Sequence, residues 1–81
     1  MDVDLIFISH ARERMKSRGV TIAEIKQVLS NHYFSAPGDS PDRMRYTGVL
    51  EDERVLSVVI RPPLDEQGPY TVITAFFEDE G

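Results

Sequence analysis

"SHARERMKSRGVTIAEIKQVLSN" occupies residues 9–31, and its punctuation decides the fold. Ser9 is an N-cap residue type, because its hydroxyl can accept from a free backbone N–H of the first helical turn. Gly19 suits the left-handed position just past a helix C-terminus. Arg14, Lys16 and Arg18 fall toward the end where the helix dipole favours cations. The pattern predicts a helix over residues 10–18. "TIAE" at 21–24 then forms a capping box, with Thr21 as N-cap and Glu24 reaching back from the third helical position. Val20 and Ile25 are placed to staple that start, and Ile22, Ile25, Val28 and Leu29 recur at helical spacing. Asn31 is a natural stop. Only Gly19 and Val20 separate the first helix from the cap of the second, so the two must form a compact pair.

Outward from this pair the period changes. "LIFIS" (5–9) is an apolar, β-branched run, a short strand or a lead-in to the helix. "NHYFSAPGDSPD" (31–42) is rich in turn formers and reads as a loop. "RMRYTGVL" (43–50) alternates, the acidic "EDE" (51–53) turns the chain, and "RVLSVVIR" (54–61) follows. "PPLDEQGP" (62–69) cannot continue a ladder, and "YTVITAFF" (70–77) is the most β-prone stretch of the chain. The expected architecture is α+β, (β)ααβββ: two N-terminal helices packed on a three- to four-stranded antiparallel sheet. Neither layer can bury its apolar face without the other. No repeat or boundary interrupts residues 1–81, which predicts a single domain with a loose acidic tail at 78–81. The sheet's other face is left open. That face and the rim beside the first helix are the expected functional surfaces.

Composition narrows the classes. A chain of 81 residues, 41% apolar and 28% charged, is globular rather than disordered and has room for one small core. Cysteine is absent, which removes disulfide frameworks and thiolate chemistry and fits a reducing compartment. The apolar start is too short for a membrane span or a signal segment, so a cytoplasmic domain with no membrane partner is expected. A net charge of −5 argues against a nonspecific nucleic-acid coat. Yet all nine basic residues and only seven acidic ones lie between His10 and Arg61, which makes that span net positive. The remaining acids (Asp2, Asp4, Asp65, Glu66, Glu78, Asp79 and Glu80) flank it.

Helical geometry divides the basic segment. At about 100° per residue, Arg14 and Arg18 fall roughly 40° and 80° from His10, beside an apolar stripe of Ala11 and Met15. Arg12 and Lys16 point the opposite way, into solvent. His10, Arg14 and Arg18 are then the candidate catalytic set on the helix–sheet seam: a neutral imidazole as general base, and two guanidinium groups to hold a phosphate. Arg43, Arg45 and Arg61, at alternating strand positions, extend a substrate-binding patch across the sheet. The chemistry this suits is RNA cleavage by attack of the 2′-hydroxyl on its own phosphate. That reaction needs a base, an acid and cations around the phosphorane, and calls for no cofactor. The bland alternative pairs Arg14 and Arg18 with Glu24, Glu51, Asp52 or Glu53 and gives them only a packing role. His32 has no second ligand at metal spacing, so no metal site is expected. Tyr33 and Phe34 either stack on a base or, more plainly, plug the end of the core. Tyr46, Tyr70, Phe76 and Phe77 read as sheet packing.

"ISHARERMKSRGVTIAEIKQVL" (8–29) resembles the opening of a bacterial and archaeal family catalogued as domain of unknown function 4258. His10, Ala11, Arg14, Met15, Arg18 and Gly19 match its pattern one by one, and "VITAFF" matches its closing strand. The resemblance implies a layout similar to the RelE-like and BrnT-like toxins, small ribonucleases with two helices on an antiparallel sheet. It therefore implies RNA as substrate, an antitoxin as protein partner, and His10, Arg14 and Arg18 as site residues. The competing expectation is a non-catalytic interaction module that receives a partner protein on its open sheet face or edge.

Overall fold

The computed structural model describes residues 3–78. The chain forms β1 (Leu5–Phe7), α1 (Ser9–Arg18), α2 (Ile22–Asn31), β2 (Phe34–Pro37), β3 (Met44–Val49), β4 (Val55–Arg61) and β5 (Tyr70–Phe77). The strands make one sheet in the order β1-β5-β4-β3-β2, with β1 parallel to β5 and every other pair antiparallel. The fold class is thus α+β with both expected helices, but the sheet has five strands and is mixed. The added strand comes from the stretch that reads as a loop. Residues 34–37 pair with β3 although Pro37 ends the run, because an edge strand can carry a proline whose missing N–H faces outward.

Local chemistry explains the helix ends. Ile8, not Ser9, is the cap of α1, and no side chain closes that end; Ser9 is already helical. At the other end Gly19 sits at φ 71°, and a Schellman pattern forms: Val20 N–H donates to the Met15 carbonyl at 2.8 Å and Gly19 N–H to the Lys16 carbonyl at 3.4 Å. The capping box of α2 is complete. Glu24 N–H donates to the Thr21 hydroxyl at 3.1 Å, and Thr21 N–H donates to the Glu24 carboxylate at 2.9 Å. Val20 and Ile25, the two staple positions, are both buried.

Both helices cover one face of the sheet, α1 over β5 and α2 over β3 and β4. Ala11 and Met15 of α1 and Ile25, Val28 and Leu29 of α2 bury against Tyr46, Leu56, Val58, Ile60, Val72, Ala75 and Phe77. Arg54 ties the layers at one end. Its guanidinium donates to Glu24 at 2.6 Å and to Asp52 at 2.5 Å, and stacks 4.5 Å from the Phe77 ring centre. Burial pushes the Asp52 carboxyl up, but the backbone and guanidinium bonds from Arg54 outweigh it and hold the carboxyl below its ordinary value.

At the opposite end the segment between β4 and β5 is fixed by two phenols. Leu64 N–H donates to the Tyr46 hydroxyl at 2.8 Å, and the Tyr70 hydroxyl donates to the Glu66 carbonyl at 2.7 Å. Tyr33 and Phe34 do not plug the core: they are 65% and 48% exposed, because Tyr33 leads into the edge strand β2 and Phe34 opens it. Of the expected loose tail, Glu78 is tied down. Its N–H donates to the Val55 carbonyl at 2.9 Å, and its carboxylate accepts from the Ser57 hydroxyl. Residues 79–81 lie outside the described residues.

Candidate functional site

The i, i+4 spacing of α1 brings His10 and Arg14 together. Arg14 Nε–H donates to His10 Nε2 at 3.3 Å, and both side chains are exposed. Because Nε2 accepts, the imidazole in this pair carries its proton on Nδ1. One turn further on, Arg18 is half-buried and takes a different role. Its guanidinium donates to the Ala75 carbonyl at 2.9 Å and to the Thr74 hydroxyl at 3.3 Å. β1 covers the edge of β5 only from Tyr70 to Val72, so the carbonyl of Ala75 faces an open edge that Arg18 fills. None of Glu24, Glu51, Asp52 or Glu53 pairs with Arg14 or Arg18; Glu24 and Asp52 bind Arg54 instead.

The strand cations are placed apart from this pair. Arg43 precedes β3 rather than lying in it, and faces Asp39 at 3.4 Å and Asp42 at 3.8 Å. Arg61, at the end of β4, lies 3.9 Å from Asp42. Alternation along the ladders puts Tyr46, Val58 and Ala75 on the helix-covered face, and Arg45, Val59 and Thr74 in one row on the other. Arg45 and Arg61 therefore face away from both helices, and the patch expected to run from α1 across the sheet is divided. Of the α1 cations, Arg18 reaches round the β5 edge to touch this second face, at Thr74.

That face carries groups that motif reading passed over. Thr47 and Ser57 oppose each other across β3 and β4, both buried, with their hydroxyls 2.7 Å apart. Phe34 lies beside Thr47 on β2 and Phe76 beside Ser57 on β5, so two aromatic rings end a row whose centre is two small hydroxyl side chains. In the next row, the buried Nε of Arg45 has no hydrogen-bond partner among the described residues. Alternation alone could have put Phe34, Phe76 and Arg45 on a common face once the register was known. Without β2 the sequence has no such register.

Among the described residues, no group of three His, Asp or Glu side chains could hold a metal ion. No helix among them is long and apolar enough to cross a membrane.

Two helices on one face of a five-stranded mixed sheet, with an exposed His–Arg pair on the first helix, define a small α+β domain. The family model for the domain of unknown function DUF4258 matches residues 7–77, and the chain belongs to that family. Comparison with curated proteins and with solved structures gives no match.

Proposed function

We propose that this domain binds RNA and cleaves it in the manner of a toxin-type ribonuclease, with His10 as general base and Arg14 as phosphate clamp. The carrying observation is the 3.3 Å contact of Arg14 Nε with His10 Nε2, on an exposed helix face where no carboxylate among the described residues is bound to either side chain. A guanidinium whose hydrogen-bonding partner is an imidazole can exchange it for a phosphate oxygen, a stronger charge-assisted acceptor. That exchange frees the Nε2 lone pair to take the proton of a ribose 2′-hydroxyl. The 2′-oxygen then bonds to phosphorus, the 5′-oxygen leaves with a proton drawn from solvent, and a 2′,3′-cyclic phosphate remains. Arg18, one turn from Arg14, is committed to the Ala75 carbonyl and Thr74 hydroxyl, so it adds positive charge nearby while Arg14 alone holds the phosphate. The resemblance of residues 8–29 to the family's opening implies a layout like the RelE-like and BrnT-like toxins, which supports the reading by analogy and adds an antitoxin as the natural partner. Such a protein would act in the cytoplasm of a bacterial cell.

A short single-stranded RNA incubated with the wild-type protein should be cut, and His10→Ala should lower the rate by about two to four orders of magnitude, as expected for loss of a general base. Arg14→Ala should weaken RNA binding and slow the cut. Overexpression should slow growth in the wild type alone. Equal cleavage by wild type and His10→Ala removes His10 from the role; absence of cleavage by both leaves binding as the most the site does.

A second reading has its own support. Tyr33, Phe34 and Val49, all exposed, cluster at the β2 edge of the sheet, where a partner protein could add to the edge or lie on the open face. Loss of an antitoxin or other partner on Phe34→Ser, with RNA cleavage retained, would separate this surface from the His10 site.

A further inference from the structure

We infer that the sheet face away from the helices holds a nucleotide subsite, with Arg45 binding the phosphate and Phe76 taking the base. The inference rests on the RNA reading for its ligand class, but on different residues. Arg45 sits in a cavity of about 360 Å³ whose floor is Val59 and Ile73 and whose walls include Asp39, Thr74 and Phe76. Its side chain is half-buried, its Nε is fully enclosed without a hydrogen-bond partner, and no carboxylate among the described residues pairs with it. Asp39, the acid in the same cavity, is already held by Arg43 at 3.4 Å.

The enclosed Nε cannot itself meet a ligand, but the terminal guanidinium nitrogens are neither buried nor bonded among the described residues, and a half-buried cation with that planar fork fits phosphate or carboxylate. The rest of the cavity narrows the choice. An apolar floor and an aromatic wall beside the cation suit a flat ring joined to the anion. The Thr74 hydroxyl, itself held by Arg18 at 3.3 Å, lies across the floor from Arg45. At about 4.8 Å between strands, Arg45 and Thr74 stand roughly 10 Å apart, a span that one nucleotide bridges. Asp39 adds an acceptor for an exocyclic amine. The chain's net charge of −5 fits one such subsite better than a long phosphate track.

Three probes added to the intact protein test this: inorganic phosphate, adenosine 5′-monophosphate, and a single-stranded RNA hexamer. The readouts are the Arg45 Nε–H, Phe76 ring and His10 imidazole NMR signals. Adenosine 5′-monophosphate should shift Arg45 and Phe76 together. Arg45→Gln should weaken its binding by at least about tenfold, the loss expected for a charge-assisted bond. Arg12→Gln, on the solvated face of α1, should leave it unchanged. A free nucleotide as the ligand predicts similar affinity for monophosphate and hexamer; one residue of an RNA strand predicts tighter hexamer binding, with a log–log salt slope near −0.7 per phosphate contact. If phosphate alone shifts Arg45 as far as the nucleotide does while Phe76 stays still, the nucleotide assignment is overturned. Silence at Arg45 with all three probes overturns the subsite. His10 shifting with the hexamer while Arg45 does not move keeps the cleavage reading and sinks this one; the converse pattern does the reverse.

Discussion

Tyr46 shows how much one side chain holds in so small a domain. It is 5% exposed, stands edge-on to His32 at 4.7 Å between ring centres, and receives Leu64 N–H on its hydroxyl. Burial pushes its phenol up, against the Leu64 hydrogen bond that holds it down. The folded chain therefore keeps the phenol proton more tightly than the unfolded chain does. Stability should be complete below about pH 10 and decline as pH climbs through the folded value. Urea midpoints between pH 9 and 11 should show the decline, and Tyr46→Phe should flatten it. Ser57 offers a second case. It is fully buried on the sheet face away from the helices, bonded to both Thr47 and Glu78. Ser57→Ala should cost about 1–3 kcal/mol in a denaturant titration, because Thr47 keeps a buried hydroxyl with no partner. Adding Thr47→Val should recover part of that loss, since an apolar pair has nothing left to satisfy.

Among the elements, α1 depends most on its ends. Its start has no side-chain cap, so the helix is anchored by Ala11 and Met15 inside and by the Gly19 turn behind. Gly19→Ala would meet no steric clash there, but it places a Cβ on a residue at φ 71°. The expected cost is about 1 kcal/mol, read as a lower melting temperature with the helix content of the folded protein unchanged. Residues 19–24 made this turn and the capping box legible in the sequence because both signals are local. The β2 strand was not legible: "FSAP" has neither alternation nor β-branching, and its pairing depends on where β3 lies. The same holds for the candidate site. His10 and Arg14 meet through helical spacing, which sequence carries. Arg18 turns to Ala75 because β1 stops short, a contact between segments 57 residues apart, and Arg45 keeps no acid because Asp39 turns to its own near neighbour Arg43.

On the scale of the whole molecule, β4 is the centre. It lies between β5 and β3, and residues 56–60 are all buried. Amide exchange should therefore be slowest in β4 and fastest in the edge strands β1 and β2, with the inner amides of β4 reporting global unfolding. A β2 that exchanges as slowly as β4 would mean that a partner covers its edge. The parallel pair of β1 with β5 sets a further constraint, because it joins the first strand to the last. During synthesis the chain emerges in order, and Leu5–Phe7 must wait for Tyr70–Val72 before either edge is satisfied. At roughly 5–20 residues per second that wait lasts several seconds, with the Ala11–Met15 face of α1 also lacking the β5 surface it will cover. A nascent chain halted before Tyr70 would thus expose its helix pair with no seat for α1, a natural target for a chaperone. The last strand of this sheet to be made is the one that seats both β1 and α1.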